Sequence, residues 1–224
     1  MASSAADQVR RTLRLLVVDD HDLIRQGLRA LLAADPSIEI AAEAATVREA
    51  EEHLRREQFD VIVLDVSLPD ETGWDLLETI RASPAAATPV LILSSHDDQE
   101  YGMLALRSGA AGYLSKSEAA SRIAVAIHRV AAGGRYISDA VAERLATLLV
   151  GGGPALSPHE SLTPRELQVL LRLVRGRPLV EIADELHVSP KTVTTWRTRI
   201  LEKLGATSNA DLTRYAVRHR LIDQ

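Results

Sequence analysis

Short apolar runs alternate with longer segments of helical spacing through the first 135 residues. The runs are rich in Val, Ile and Leu, which is typical of strands buried in a parallel sheet. They cover residues 13–18, 38–42, 61–64, 90–93 and 111–114. Between them, apolar residues recur at helical spacing over about the length of a crossover helix, as in Leu23, Leu28, Leu31, Leu32 and in Leu76, Leu77, Ile80. Five strands that alternate with helices predict an α/β fold with an open parallel sheet.

The last 63 residues carry helical signals throughout. Thr163, Pro164 and Glu166 form a capping box with proline at the first helical position. Ser189 followed by Pro190 repeats this start, and Ser208 with Asp211 gives a third. With the apolar segment 179–186, these signals predict an all-α unit of four short helices.

Between these two regions lies a predicted connection. A helix over about 118–132 runs into Gly133-Gly134, and the apolar stripe Val141, Leu145, Leu148, Leu149 after Ser138 predicts a separate connecting helix. Gly151-Gly152-Gly153-Pro154 then interrupts any regular structure. We therefore predict an N-terminal domain over 12–135, a connecting helix and flexible linker over 136–161, and a C-terminal domain over 162–224.

The composition bounds the class of protein. Hydrophobic residues make up 46% of the 224 residues, enough for ordinary globular cores, and there is no cysteine for a disulfide or a thiolate metal site. No window approaches the roughly 18 apolar residues that span a bilayer, so we expect a cytoplasmic protein without membrane contacts.

The net charge of −5 is unevenly distributed along the chain. Residues 1–156 hold 15 Lys and Arg against 23 Asp and Glu, whereas residues 157–224 hold 11 against 8. The C-terminal domain is thus mildly basic, which is compatible with nucleic acid.

Polar residues that suit phosphate chemistry follow the predicted strands. Asp19 and Asp20 come after the first strand, Asp65 after the third, Ser94 and Ser95 after the fourth, and Lys116 after the fifth. The carboxyl ends of parallel strands line one crevice, so we expect these side chains to converge. Clustered carboxylates suit Mg²⁺ as a cofactor, Lys116 and Ser94 can hold phosphoryl oxygens, and Asp65 can act as the nucleophile that forms an acyl phosphate. A single aspartate at a strand end is usually only a cap, but several coincident strand ends favour a site.

Four stretches within about residues 12–135 resemble the receiver domains of bacterial response regulators. They are Val17-Val18-Asp19-Asp20-His21, Leu64-Asp65-Val66-Ser67-Leu68-Pro69 with Gly73, Ile92-Leu93-Ser94-Ser95, and Gly112-Tyr113-Leu114-Ser115-Lys116. The resemblance implies a flavodoxin-like doubly wound sheet, Asp65 as the phosphoacceptor, and Mg²⁺ bound by Asp19, Asp20, Asp65 and the backbone carbonyl of Ser67. It also implies that Ser94 and Tyr113 switch conformation together on phosphorylation.

His21, next to the acidic pair, has two interpretations. It could act as a general base, but we favour a residue on the surface of the following helix.

The segment from Pro190 to Leu204 is predicted to be a helix with one apolar and one polar face. Val193, Ile200, Leu201 and Leu204 fall on one side, and Lys191, Thr194, Thr195, Thr198 and Glu202 fall on the other. A charged outer face is normally only solvated. Preceded by the short helix 179–186 and a tight connection, however, this helix completes a helix-turn-helix arrangement.

Four stretches of this region resemble the LuxR-type DNA-binding domain over about residues 160–223. They are Leu162-Thr163-Pro164-Arg165-Glu166-Leu167-Gln168-Val169-Leu170 with Glu181-Ile182-Ala183, Ser189-Pro190-Lys191-Thr192-Val193, and Lys203-Leu204-Gly205. The whole chain is similar to NarL/FixJ-type transcriptional regulators. By position, Thr194, Thr195 and Thr198 would contact bases, whereas Lys191, Thr192, Arg199 and Lys203 would contact phosphates. Trp196 departs from the pattern, since many members have His there.

The resemblance implies a sensor histidine kinase and double-stranded DNA as partners, and a switch rather than a metabolic enzyme, with limited self-catalysed phosphotransfer and dephosphorylation. The small positive charge of the C-terminal domain leads us to expect paired domains on two half-sites, hence a homodimer. The C-terminal helix, with Leu212, Tyr215, Ala216 and Leu221, is a candidate dimer contact, although burial in its own domain explains it equally well.

Two other functions compete with this interpretation. One is a constitutive DNA-binding protein whose receiver only mediates protein contacts, which has no need for the complete acidic and basic set. The other is a haloacid-dehalogenase-like phosphatase, which also uses an aspartyl phosphate. That family has a second acid two residues after the nucleophile, where this chain has Ser67.

Overall fold

The structure is a computed structural model, and it describes residues 12–68, 73–95, 98–139, 141–143, 146, 157–186, 188–219 and 221–222. Contacts divide the chain into two compact units. The N-terminal unit comprises residues 1–96 and 108–137, and the C-terminal unit comprises residues 97–107 and 138–224. The units are described separately below, and the three domain ranges derived from the sequence stay a prediction.

A five-stranded, all-parallel sheet forms the centre of the N-terminal unit. Its strands are β1 (Leu13–Val18), β2 (Ile38–Ala44), β3 (Val61–Leu64), β4 (Val90–Ser94) and β5 (Gly112–Ser115). The spatial order β2-β1-β3-β4-β5 confirms the doubly wound α/β fold. The register pairs Val18 with Leu64 and Ser94 with Ser115, so the carboxyl ends of neighbouring strands lie side by side.

Helices α1 (Asp22–Leu32), α2 (Val47–Arg56), α3 (Gly73–Arg81) and α5 (Ala119–Ala131) belong to the same unit. Helix α4 (Asp98–Arg107) lies between β4 and β5 in sequence but groups with the C-terminal unit. In α5, the apolar stripe of Ile123, Ile127 and Val130 joins the core around Leu15 and Leu91. Residues 15–18 of β1 and all residues of β3 and β4 are buried, which explains why these segments are almost entirely apolar.

Part of the predicted connecting helix falls within the described residues. Residues 139, 141–143 and 146 are helical, and the Ala142 amide donates to the carbonyl of Ser138 at 3.0 Å. Leu145, Leu148, Leu149 and the segment 151–154 lie outside the described residues.

Four further α-helices lie among the described residues of the C-terminal unit. They are α6 (Pro164–Val174), α7 (Leu179–Glu185), α8 (Pro190–Leu204) and α9 (Asn209–Arg218). The capping box of Thr163 and Glu166 is confirmed, as are the Ser189 and Ser208 caps. Gly205 ends α8 with φ of 62°, a conformation that glycine adopts without a steric penalty.

Among the residues that the structure describes, no helix is both long enough and apolar enough to cross a membrane.

Candidate functional site

The acidic side chains meet where β1 and β3 end. The Asp65 amide donates to the carbonyl of Val18 at 2.8 Å, which fixes the end of β3 against the end of β1. The side chains of Asp19 and Asp65 are 2% and 3% exposed, and that of Asp20 is 30% exposed. The structure therefore confirms the convergence of these three carboxylates, although Asp19 and Asp65 lie far apart in sequence.

Lys116 bridges the two buried carboxylates from the end of β5. Its Nζ lies 2.7 Å from Oδ2 of Asp19 and 2.7 Å from Oδ2 of Asp65. The Lys116 amide donates to the carbonyl of Ser94 at 2.8 Å, so the β4 end holds the lysine backbone in place. One ammonium group thus lies between two carboxylates that would otherwise repel each other.

Burial and charge act against each other in this cluster. Burial raises the pKa of the Asp65 carboxyl above its ordinary value, and the hydrogen bond and charge of Lys116 offset this only in part. For Lys116, burial by itself lowers the pKa, but the hydrogen bonds accepted by Asp19 and Asp65 outweigh burial and raise it. Lys116 is therefore a permanent cation beside the candidate nucleophile.

The cluster also has donor atoms for a divalent cation. One ligand atom from each of Asp19, Asp20, His21 and Asp65 lies within 4.8 Å of the others. Oδ1 of Asp20 is buried and accepts no hydrogen bond, although the His21 Nδ1 lies 2.7 Å away. Carboxylate oxygens at this density are ligands that Mg²⁺ prefers, so the residues present fit the ion.

His21 contributes more than a helix surface position. Its backbone amide donates to Oδ1 of Asp19 at 2.8 Å, and its ring contacts both Asp19 and Asp20, while its side chain stays 60% exposed. The sequence favoured a residue on the helix surface for His21, and the exposure of its side chain agrees with this. The sequence did not show the backbone hydrogen bond that orients Asp19.

The remaining predicted receiver residues belong to the same unit. Ser94 is fully buried at the end of β4, and Tyr113 is 2% exposed on β5. Ser67 is exposed, and its amide donates to Oδ1 of Asp65 at 3.1 Å. The roles of Ser94 and Tyr113 in switching, and of the Ser67 carbonyl as a ligand, stay predictions. Pro69 of the motif lies outside the described residues.

Gly73 is a further residue on which the site depends. It begins α3, and a Cβ atom built there would lie 2.1 Å from the carbonyl oxygen of Asp65 and 2.8 Å from Cα of Val66. Only glycine allows the first turn of α3 to approach the phosphoacceptor backbone so closely. The sequence showed a glycine within the motif but gave no reason for it.

The second candidate site is the outer face of α8. Val193 and Ile200 are fully buried, whereas Thr194, Thr195 and Thr198 are exposed, which confirms the predicted two faces. Lys191, Arg199 and Glu202 are exposed as well, and Thr192 is partly buried beside Ser189, whose side chain accepts a hydrogen bond from the Thr192 amide at 3.1 Å. That these residues contact DNA stays a prediction.

Two residues of α8 have partners that the sequence did not suggest. Nζ of Lys203 lies 2.6 Å from Oε2 of Glu166, whose side chain is 3% exposed. Trp196 packs under the guanidinium of Arg165, with 5.7 Å between the guanidinium carbon and the ring centroid. Lys203 therefore holds α8 to the start of α6, whatever else it contacts.

The apolar residues of the C-terminal helix are buried within their own unit. Leu212 and Ala216 are inaccessible to solvent, and Leu221 is 8% exposed. The hydroxyl of Tyr215 lies 3.0 Å from Nδ1 of His159. Of the two interpretations of this helix, burial in its own domain is the one that the structure supports.

Comparison with known proteins assigns both units. Residues 15–128 match the response regulator receiver domain, and residues 160–216 match the bacterial regulatory proteins of the luxR family. The chain belongs to the response regulator family. The response regulator UvrY of Escherichia coli K12 is 34% identical over 209 residues, covering 93% of this chain and 95% of UvrY.

A second relative agrees with this family. The response regulator GacA of Pseudomonas aeruginosa is 34% identical over 212 residues, covering 94% of this chain and 98% of GacA. Among solved structures, RcsB of Salmonella enterica serovar Typhimurium, bound to the promoter rprA, has the same fold. Its TM-score is 0.64 at 21% identity, over 91% of this chain and 98% of that one. This response regulator thus combines a receiver domain with a LuxR-type DNA-binding domain and acts as a DNA-binding transcription regulator.

Proposed function

We propose that a sensor histidine kinase phosphorylates this response regulator on Asp65 and that the phosphoryl group controls DNA binding by the C-terminal unit. The observation that carries the proposal is the contact of Lys116 Nζ with both buried carboxylates at 2.7 Å. A lysine in this position can exchange its bond to Asp65 for one to a phosphoryl oxygen without leaving the pocket. The ammonium group that would neutralise a phosphoryl oxygen thus already lies beside the nucleophile.

The chemistry follows from the groups present. One oxygen of the ionised Asp65 carboxylate attacks phosphorus, the P–N bond of the donor phosphohistidine breaks, and an acyl phosphate forms. Lys116 neutralises one equatorial oxygen, and the hydroxyl of Ser94 can donate to another. Asp19, Asp20, Asp65 and the Ser67 carbonyl would hold Mg²⁺, which supplies further positive charge against the phosphoryl oxygens. Self-catalysed transfer and hydrolysis make the receiver a switch, and we infer no metabolic reaction for it.

The new dianionic group then biases the conformation of the pocket. Ser94 is buried at the end of β4, and Tyr113 is buried on the adjacent strand, where β4 and β5 pair through Ile92 and Tyr113. Movement of Ser94 towards the phosphoryl group would leave space for Tyr113, which couples the two residues as a population shift.

The DNA-binding step involves the C-terminal units of two chains. Residues 157–224 carry only three more Lys and Arg than Asp and Glu, so one unit neutralises few phosphates. We infer a homodimer on two half-sites of double-stranded DNA, with Thr194, Thr195 and Thr198 towards the bases and Lys191, Thr192, Arg199 and Lys203 towards the phosphates. The RcsB structure bound to a promoter supports DNA as the partner. Such a regulator would act in the cytoplasm.

The test is binding to a genomic DNA library with and without a small phosphodonor and Mg²⁺. Wild type is compared with Asp65→Ala and with Asp22→Ala, a matched control whose carboxylate lies on α1 and is 64% exposed. Phosphodonor-dependent tightening in wild type and the control, but not in Asp65→Ala, is the expected result. Equal binding by all three proteins would indicate a constitutive DNA-binding regulator instead.

A further inference from the structure

The three threonines on the outer face of α8 share one hydrogen-bonding pattern. Oγ1 of Thr194 donates to the carbonyl of Pro190 at 2.9 Å. Oγ1 of Thr195 donates to Lys191, and Oγ1 of Thr198 donates to Thr194, each at 3.1 Å. All three side chains are exposed, so the pattern is a property of the helix surface itself.

This pattern determines what the surface can recognise. A threonine hydroxyl has a single proton, and in each case the helix backbone accepts it. What each side chain still offers is the methyl group on the same Cβ and the lone pairs of the oxygen. None of the three positions carries the Arg, Lys, Asn or Gln side chains that read guanine or adenine through paired hydrogen bonds.

We propose that Thr194, Thr195 and Thr198 form a methyl surface that recognises the C5-methyl groups of thymine in the major groove. Thymine is the one base that presents a methyl group there, and threonine methyls are suitable apolar partners for it. One helical turn separates Thr194 from Thr198, about 6 Å along the axis, which matches about two base-pair steps. The inference rests on the proposed placement of α8 in the major groove and adds the base chemistry that it selects.

The probe is the duplex that the full chain, treated with phosphodonor and Mg²⁺, enriches most strongly from a random library. Each thymine in the enriched half-site is replaced in turn by uracil, which removes only the methyl group. We expect affinity to fall about 4-fold for each contacted thymine, as burial of one methyl contributes about 0.8 kcal/mol.

Two sets of variants then separate the methyl group from the hydroxyl. The triple Thr→Ser variant at 194, 195 and 198 keeps the hydroxyls and loses the methyls, so we expect it to bind thymine and uracil duplexes equally. The triple Thr→Val variant keeps a methyl in place and loses the hydroxyls, so discrimination between the two duplexes should remain. Thr213→Ser is the matched control, because Thr213 makes the same bond to the carbonyl of Asn209 at 3.1 Å on α9.

Each outcome decides the proposal. Discrimination that persists in the Ser variant and disappears in the Val variant would show that the hydroxyls read the bases, and would overturn the proposal. An enriched duplex whose affinity does not change on uracil substitution would overturn it too. If phosphorylation does not control DNA binding, the same duplexes will be enriched with and without the phosphodonor. That result would contradict the proposed function, but the uracil substitutions would still test thymine recognition. Circular dichroism of the variants checks that α8 still folds.

Discussion

Replacing Lys203 by Met tests whether this lysine stabilises the C-terminal unit or serves only to bind DNA. Its Nζ lies 2.6 Å from a Glu166 carboxylate that is 3% exposed and that also accepts from the Thr163 amide at 2.8 Å. Without the ammonium, a buried carboxylate keeps one backbone donor and loses its counter-charge. Breaking a fully buried pair costs about 3–5 kcal/mol.

The expected loss is smaller than this because the Lys203 side chain is itself 35% exposed. Water can replace part of the lost interaction, so we expect the free energy of unfolding to fall by about 2 kcal/mol, the value for a hydrogen bond to a charged group. With a urea slope of about 1 kcal/mol/M for so small a unit, the midpoint should move down by about 2 M. The double variant Lys203→Met, Glu166→Gln should recover most of this, since the introduced side-chain amide oxygen still accepts from the Thr163 amide and no charge is stranded.

The assay uses the two tryptophans of the chain, one in each unit. In a Trp74→Phe background, the fluorescence of Trp196 on α8 reports unfolding of the C-terminal unit alone. Burial by itself raises the pKa of Glu166, but the bonds from Lys203 and Thr163 outweigh it and lower the pKa. The stabilisation is therefore present above the unfolded pKa of about 4.3 and is lost as pH falls through the lower folded value. The deficit of Lys203→Met should be full at pH 7 and shrink below about pH 4.

A phosphate contact by Lys203 gives a different result. Each contact contributes about 0.9 to the slope of log affinity against log salt concentration, so its removal should flatten that slope by about 0.9. We expect the variant to change the urea midpoint. An unchanged midpoint together with a flatter salt dependence would refute the structural role and support the assignment from sequence.

Three smaller predictions follow from other contacts. Gly73→Ala places a methyl group against the phosphoacceptor backbone, so the free energy of unfolding should fall by about 1–3 kcal/mol, as overpacking causes. Phosphorylation by a small phosphodonor, measured by mass spectrometry, should also become slower. A normal rate and a normal stability would contradict the close approach. The Ser37 hydroxyl, with His128, lowers the pKa of Asp35 to about 2, so Ser37→Ala should raise that pKa in an NMR titration and move the associated acid loss of stability to higher pH. Ser189→Ala removes the cap of α8 and should lower the free energy of unfolding, followed by Trp196 fluorescence, by about 1 kcal/mol. An unchanged free energy of unfolding would show that water replaces the cap.

Much of the fold follows from local rules. The largely apolar runs of β1, β3 and β4 predict strands buried on both faces, and the ends of these strands in the structure agree with the prediction to within one residue. The capping box of α6, the serine cap of α8 and the proline at the start of each helix predicted α6 and α8 equally well, because a cap is a contact between residues three positions apart. Helices α2 and α4 gave weaker signals and were not assigned residue by residue, since their sequences lack a long apolar stripe.

The sequence also predicted part of the candidate phosphorylation site, and the tertiary structure decided the rest. Strand ends and the common direction of parallel strands are enough to bring Asp19, Asp65 and Lys116 to one edge, so the sequence determined the pocket. It did not determine the two 2.7 Å contacts of Lys116, or the need for glycine at Gly73, because these depend on how closely separate elements approach.

Lys203 shows the difference most clearly. In the sequence it is a basic residue near the end of a recognition helix, and its position alone predicts a phosphate contact. In the folded unit the start of α6 brings Glu166 to its ammonium group, 37 positions away in the chain. Helix faces and caps are determined by neighbours in sequence, whereas the partner of a long charged side chain is determined by which buried, oppositely charged group the packing of helices brings within its reach.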